Sequence, residues 1–387
     1  MPAQYQVAGR IYQIENDGES LKLILQRDSK IHKIQFEKAP QNSEFLIEGD
    51  LVAVISAEEI CLLAPQKTSL PRRKLDTEIL KTWNVYMQGL RDFFKGQDFL
   101  ELKTPSLVPC PGTEPSLDVF STTLKVGSRT EKLYLPTSPE LHLKKALALG
   151  AEKIFEIAPC YRNGEVTERH QPEFLMLEWY RAYDNLANIK KDVENLVYTM
   201  AKLLKVSAPR SVKSYSISEL FKMHCDFDLR PDTTKEELKV LAEKLKVDVR
   251  SADSIDDFFF LIFMEKVESQ LPPEDLIFVE KYPPYQAALA RITADGWGDR
   301  FEVYWKGLEL ANAFHELNHP EIQRLRSAED LEKKKDLHKE VVNLDEEFFV
   351  CLEAGMPPSG GIALGVERLF MALLGKTRIS DLRLFTF

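Results

Sequence analysis

The chain has 387 residues, 44% of them hydrophobic and 29% charged, with a net charge of −10. This is the composition of a globular protein of two or three domains, and the acidic balance excludes a whole-surface field that recruits nucleic acid by counterion release. An N-terminus without an apolar core, the lack of any run of about 18 apolar residues, and five scattered cysteines (Cys61, Cys110, Cys160, Cys225, Cys351) without CxxC spacing predict a cytoplasmic protein with reduced thiols and no membrane segment.

Residues 1–66 read as β-rich. VAGRIYQI, SLKLILQ, HKIQF, DLVAVIS and EICLLA are short apolar or alternating runs, separated by turn signals at Asp17-Gly18, Ala39-Pro40 and Gly49-Asp50. Five short strands in this length predict a small OB-like barrel. Its acidic residues outnumber its basic ones, so a packing or protein-docking module is a plainer reading than nucleic-acid binding. Residues 67–74, containing Pro71-Arg72-Arg73-Lys74, form the expected linker to a domain over 75–387.

Asp76 reads as a helix N-cap, and Ile79, Leu80, Trp83, Tyr86, Met87, Leu90, Phe93 and Phe94 recur at helical spacing until Gly96. FLELKTP reads as a strand, residues 106–131 as loop, and LYLP as a short strand. Pro139 opens a helix, SPELHLKKALAL, that Gly150 closes. KIFEIAPCYRN is a strand. PEFLMLEWY is another, with Phe174, Met176, Glu178 and Tyr180 on one face by the period of two. Helices are expected over 188–204, 218–225, 234–245 and 255–269. DLIFVEKYP, RFEVYWKGLEL and GGIALG read as strands, the last leading into a helix ERLFMALLG. Long strands with helices before and after them predict an α+β domain.

No P-loop, Rossmann glycine fingerprint, HExxH or G-x-S-x-G occurs. Glu178 is an acid inside an otherwise apolar strand. An unpaired buried carboxylate is costly, so it either faces water at an edge or awaits a cationic ligand. Glu302, Glu309 and Glu316 recur at intervals of seven. Such carboxylates suit Mg²⁺ shared with a nucleotide, and equally a solvated face. Arg162 and Arg368 suit a polyphosphate, or surface ion pairs. Glu140 stands at a helix start, where the dipole favours a carboxylate in any case.

Taken together and in order, TSPELHLKK, YRN…RHQPEFLMLEWYRAY, FEVYWKGLELANAFHEL and GGIALGVERLFM resemble the catalytic domain of class II aminoacyl-tRNA synthetases of the lysyl branch, over about residues 75–387. KTPSLVP around Pro105 resembles the first motif of that class, Arg162 to Tyr180 the second, and Gly361 to Arg368 the third. The resemblance implies a class II synthetase-like antiparallel sheet flanked by helices, ATP and Mg²⁺ on the sheet face, and a homodimer formed around Pro105. It gives Arg162 the α-phosphate, Arg169 and Arg368 the γ end of a bent ATP, and Phe174 the adenine. Arg162 and Arg368 would be the catalytic pair, with Asn163, His170, Gln171, Glu309, Leu310 and Gly365 as further nucleotide contacts. Glu302 and Glu309 match magnesium-binding carboxylates. Glu140 matches the receptor of the substrate's amino group. Glu178, Tyr180 and Glu316 match a pocket for a lysine ammonium, with Ser138, Pro139, Asn312 and Ala363 beside it.

Three features resemble instead the synthetase paralogues that attach lysine or β-lysine to elongation factor P. These are Ser138 where the synthetase has alanine, Ala363 where it has glycine, and the WYR at 179–181. The short acidic N-terminal segment agrees, and tRNA is not the expected acceptor. The implied reaction is activation of lysine or β-lysine to an aminoacyl adenylate, then transfer to a lysine side chain of elongation factor P. A truncated tRNA-charging synthetase and a catalytically silent lysine-binding regulator are the alternatives. The chain departs from the family pattern in three places. Gly164, followed by Glu165, stands where a glutamate reads adenine, Gln171 replaces an asparagine, and Ala313 replaces a glycine.

Overall fold

Strict alternation along Leu21, Leu23 and Leu25, all buried with Lys22 exposed between them, gives the N-terminal unit its core face. Five strands build it: β1 (Val7–Asn16), β2 (Leu21–Arg27), β3 (Lys30–Phe36), β4 (Leu51–Val54) and β5 (Ile60–Ala64). They pair antiparallel in the order β3-β2-β1-β4-β5. Ile11, Phe36, Val52 and Val54 complete the apolar cluster. This arrangement is consistent with an OB-like domain. The structure, a computed structural model, describes residues 6–27, 30–41, 43–66, 77–250 and 252–383. The expected linker over 67–74 and the Asp76 cap lie outside the described residues. The chain divides into two units, Met1–Asn84 and Val85–Phe387.

The elements that follow are α1 (Thr77–Lys95), β6 (Leu100–Glu101), β7 (Ser121–Val126), β8 (Arg129–Tyr134), α2 (Glu140–Ala148), β9 (Lys153–Tyr161), β10 (Glu173–Ala182), α3 (Leu186–Leu204) and β11 (Val212–Ser216). Next come α4 (Ile217–Cys225), α5 (Lys235–Leu245), α6 (Ile255–Ile262), β12 (Leu276–Tyr282), β13 (Gly298–Trp305), β14 (Leu308–His315), α7 (Pro320–Asp336), α8 (Glu346–Gly355), β15 (Ser359–Gly365) and α9 (Val366–Leu374). Eight strands form one sheet in the order β11-β12-β13-β14-β15-β10-β9-β6. Its inner pairs are antiparallel, but β11 pairs parallel with β12 and β6 parallel with β9. The sheet is therefore mixed, not antiparallel throughout as expected. The reason lies in the connections, because helices intervene between the two strands of each parallel pair and return the chain in the same direction.

Tyr86, Leu90 and Phe94 of α1 are fully buried. Phe94 stacks on Phe155 of β9 at 4.8 Å between ring centroids, and Tyr86 on Phe370 of α9 at 4.9 Å. Tyr86 also donates its hydroxyl to the Val366 carbonyl at 3.0 Å, which ties α1 to the end of β15. These contacts fix the middle of the sheet, where the candidate site lies.

Several elements differ from the sequence reading. Residues 106–131 are not all loop, since β7 and the start of β8 form a hairpin within them, turning at Gly127 with φ +61°. RFEVYWKGLEL is two strands and not one. Lys306 and Gly307, with φ of +55° and +68°, supply the tight turn between β13 and β14. The helix expected over 255–269 leaves α geometry after Ile262 and continues as a π turn and a 3₁₀ turn. The strand β11 and the helices α7 and α8 were not anticipated.

Candidate active site

The register of the central strands lays candidate residues in rows across the sheet. Glu156, Glu178, Ala363, Asn312 and Glu302 are successive cross-strand partners on β9, β10, β15, β14 and β13. Tyr180, Gly361, Phe314 and Arg300 form the neighbouring row. Directly paired residues project from the same face, so these two rows share one face of the sheet.

One end of this face is lined with acids. Glu178 and Glu316 are each 1% exposed, which removes the water-facing edge reading of Glu178. The Tyr180 hydroxyl donates to Glu178 Oε2 at 3.0 Å, whereas Glu178 Oε1 is buried with no hydrogen-bond partner. Burial and the nearby charge of Glu140 push the Glu178 carboxyl well above the carboxylate range. Glu316 is pushed up to about 7 by burial, with Lys144 opposing and Glu140 adding to the shift. Gly361 makes room for both neighbours, because a Cβ there would lie 2.1 Å from Glu316 Oε1 and 2.4 Å from the Tyr180 ring. Glu140 begins α2, capped by Pro139, and its backbone N–H donates to Ser138 Oγ at 3.3 Å. Ala363 sits in register between Glu178 and Asn312.

Two residues of this end were missed in the sequence. Lys144 is 1% exposed and hydrogen-bonds Glu140. Its Nζ also forms an ion pair with Glu316 Oε2 at 2.6 Å. The signal was present, since a glutamate four residues before a lysine on one helix is a paired spacing. Glu114 is the second. Its Oε2 is buried without a partner, folded back over Gly112, where a Cβ would lie 2.3 Å from it. Burial and Glu140 raise its carboxyl, with Arg162 and Lys334 opposing.

The other end carries the arginines. Arg162 ends the β9–loop segment with its guanidinium 5.2 Å over the Phe174 ring and 3.8 Å from Glu165. Its Nε is buried and has no partner. Arg368, on the first turn of α9, donates to the Glu309 carbonyl at 3.0 Å and to His170 Nε2 at 2.6 Å. An arginine cannot accept, so His170 carries its proton on Nδ1, 2.9 Å from the Thr167 hydroxyl. Burial and Arg368 both lower the His170 pKa, which keeps the ring neutral. Arg169 is held less firmly, by a 3.2 Å bond to the Gly307 carbonyl at an exposed site. Asn163 is tied to the main chain of Asp118 at 2.9 Å. Gln171 and Leu310 are buried, and Gly365 pairs with Met176. Gly164 has φ +81° with open space around it, so glycine there serves the backbone turn.

Glu302 sits between the two ends under a clamp that the sequence did not reveal. Tyr282 and Tyr304 each donate to its Oε2 at 2.6 Å, and Arg300 hydrogen-bonds its Oε1. Arg300 also donates to Asn312 Oδ1 at 3.0 Å. Three donors leave roughly one lone-pair site of the four on this carboxylate. Glu309 is 40% exposed at its side chain, with Arg368 at 3.5 Å. Among the described residues no three His, Cys, Asp or Glu side chains gather into a metal site of their own. The donor set therefore fits a hard cation that takes one or two carboxylate oxygens from the protein and the rest from a polyphosphate and water.

Comparisons with known proteins identify the family. The family model for class II tRNA synthetases (D, K and N) matches residues 63–387. The elongation factor P–(R)-β-lysine ligase of Proteus mirabilis is 37% identical over 307 residues, covering 77% of this chain and 92% of the relative. The proteins of the same name from Haemophilus influenzae (strain PittGG) and Salmonella arizonae are each 36% identical, covering 76% and 78% of this chain and 90% and 92% of theirs. No described helix is long and apolar enough to cross a membrane. With a class II synthetase domain over most of its length and relatives this similar, the chain belongs to the elongation factor P–(R)-β-lysine ligase family, paralogues of class II lysyl-tRNA synthetase.

Proposed function

We propose that the protein activates lysine or (R)-β-lysine with ATP and transfers the acyl group to a lysine side chain of elongation factor P. The observation that carries this reading is the meeting on one sheet face of a buried acid pocket and an arginine with an unpartnered buried Nε. Glu140, Glu178 and Glu316 offer carboxylates, and Tyr180 a hydroxyl, to the amines of a diamino acid. A neutral analogue would leave these buried groups unpaired, which is the physical basis of selection. The name of the relatives makes (R)-β-lysine the first isomer to test.

In activation, an oxygen of the substrate carboxylate attacks the α-phosphorus of ATP and the bond to pyrophosphate breaks. Arg162 meets the charge that grows on the α-phosphate oxygens, a role for a pre-positioned donor. Arg368 is kept in place by neutral His170 and the Glu309 carbonyl, and with Arg169 holds the far phosphates. Phe174 supplies the ring for adenine, while Asn163, Gln171, Leu310 and Gly365 border the nucleotide. Glu309 and the remaining lone pair of Glu302 would hold Mg²⁺, whose chemistry is to offset charge on the phosphate oxygens. In transfer, the acceptor amine attacks the acyl carbon, AMP departs with the bonding pair, and the new amide nitrogen loses a proton. Positioning and charge do the work, so no nucleophilic side chain is called for.

Residues 1–66 are read as the OB-like domain, 67–74 as linker and 75–387 as the catalytic domain. The family model begins at residue 63, so nearly all of the N-terminal domain lies outside it. A homodimer in the cytoplasm completes the proposal, and the free cysteines fit a reducing compartment. The test is ATP–pyrophosphate exchange with each lysine isomer, followed by intact mass spectrometry of elongation factor P. Exchange confined to lysine isomers and a mass gain of one acyl group are expected. No exchange with any isomer would sink the reading.

A further inference from the structure

Lys144 is a lysine that this chain places in its own lysine pocket. It stands one helical turn after Glu140 on α2 and is 1% exposed. Its ammonium contacts two of the three pocket acids, Glu140 by hydrogen bond and Glu316 by charge at 2.6 Å. Burial alone would drive an ammonium toward neutrality, but Glu140 and Glu316 more than reverse this and keep it charged. The contacts do not finish the network. Glu178 Oε1 is buried and receives no hydrogen bond. A cluster that served packing alone would be closed, since a buried acceptor left without a donor is costly.

Charge counting shows what is missing. With Glu140, Glu178 and Glu316 all ionised, as two bound ammonium groups require, three carboxylates against one ammonium leave two negative charges, and Glu178 Oε1 waits for a donor. A diamino acid brings two ammonium groups. We propose that Lys144 is a resident counter-cation that sets the pocket's charge demand at two, and thereby acts as a positioning and specificity-determining residue for a diamino acid. Its ammonium bridges Glu140 and Glu316 and opposes the protonation of Glu316, so that both amines of the substrate are needed to complete the cluster. A monoamine of the same shape completes half of it. This inference rests on the proposed lysine-activating function.

The test compares the wild-type protein, Lys144→Met and the double variant Lys144→Met/Glu316→Gln. Pyrophosphate exchange is measured with lysine, (R)-β-lysine and norleucine, and lysine binding by calorimetry without ATP. Wild-type exchange is read first, and its absence with every isomer overturns both the function and this inference. With that exchange present, Lys144→Met is expected to raise KM for the lysine isomer more than tenfold. KM for ATP should stay within twofold, and the preference for lysine over norleucine should fall. The double variant removes one charge of each sign and returns the demand to two. It is expected to recover at least part of the lost preference, and it carries the test where the single variant does not fold. Unchanged or tighter lysine binding in Lys144→Met overturns the inference. So does a double variant with no more preference for lysine than the single one, or, where the single one does not fold, with no preference for lysine over norleucine.

Discussion

The two ends of the candidate site are built on opposite terms. At the amine end the acids are buried, packed against a glycine and tied to a resident lysine before any substrate arrives. At the phosphate end the arginines are half-exposed, on a loop and a helix start, and several of their donors are spent on main-chain carbonyls or a histidine. The difference teaches where discrimination and chemistry are separated. A dry, pre-formed pocket rejects a wrong side chain strongly, because unpaired groups there cannot turn to water. A wetter cluster of guanidiniums tolerates adjustment and acts when charge develops on phosphate.

The largest effect that would sharpen this comparison is expected at Arg162. Arg162→Ala should cut exchange by about 10²–10³, the scale of losing one transition-state donor. Lysine binding without ATP should stay within a few-fold. A parallel loss of lysine binding would break the separation of the two ends.

Glu178→Gln follows, at the other end. It keeps the shape and removes the charge that a substrate ammonium meets, so the lysine KM should rise by about 10–100-fold, in line with the cost of an unmatched charged hydrogen bond. The ATP KM should hold. Gly361→Ala acts on the same pocket by bulk, since its Cβ would meet Glu316 and Tyr180 well inside contact distance. Overpacking of this kind costs about 1–3 kcal/mol. It should appear as a lower thermal midpoint together with a weakened lysine KM.

How much of this was legible in the sequence depends on what each residue buries. Strand β2 alternates buried leucines with more exposed residues, and β10 is a continuous apolar run broken by Glu178, so period announces the first and a short apolar run the second. The hairpin strand β7 has neither signal, because all six of its residues are exposed and no face is marked. Helix α7 was invisible for a related reason. Its buried residues are Gln323, Ser327 and Lys334, so it has no apolar stripe to read. At the site, the spacing of Glu302, Glu309 and Glu316 could be read directly. The clamp of Tyr282, Tyr304 and Arg300 on Glu302 could not, because it depends on strand register across β12 and β13 and on the bulge beside Tyr304. Lys144 had a local signal, yet its second partner, Glu316, is brought to it only by the fold.

The pH dependence of lysine binding gives a smaller, graded effect. In the empty pocket the Glu316 carboxyl titrates at about 7, pushed there by burial with Glu140 adding and Lys144 opposing. A pKa raised on folding contributes stability below the ordinary carboxylate range, and that contribution is lost as pH rises through about 7. Lysine's ammonium requires the ionised carboxylate. Binding below that pH must therefore release a proton, and should tighten by up to about tenfold per unit as the pH approaches 7. Calorimetry in two buffers of different ionisation enthalpy measures the proton directly. Glu316→Gln should reduce the release to the part that comes from Glu178, whose carboxyl burial also raises, and a release unchanged by this substitution would assign it wholly to other groups.

The smallest effect tests the phosphate end, at the glycine that interrupts the family pattern. Gly164 has φ +81° and nothing near its Cα, so a side chain there meets strain and no clash. Gly164→Ala should cost about 1 kcal/mol in stability, the usual penalty of the left-handed region. Gly164→Glu carries the same strain but adds a carboxylate where the synthetase resemblance implies a glutamate that reads adenine. If the phosphate end is adjustable, the glutamate variant should show the same loss of midpoint as alanine and an ATP KM at least as low as wild type. An ATP KM raised equally in both variants would mean that the turn itself, and not the side chain, positions the nucleotide.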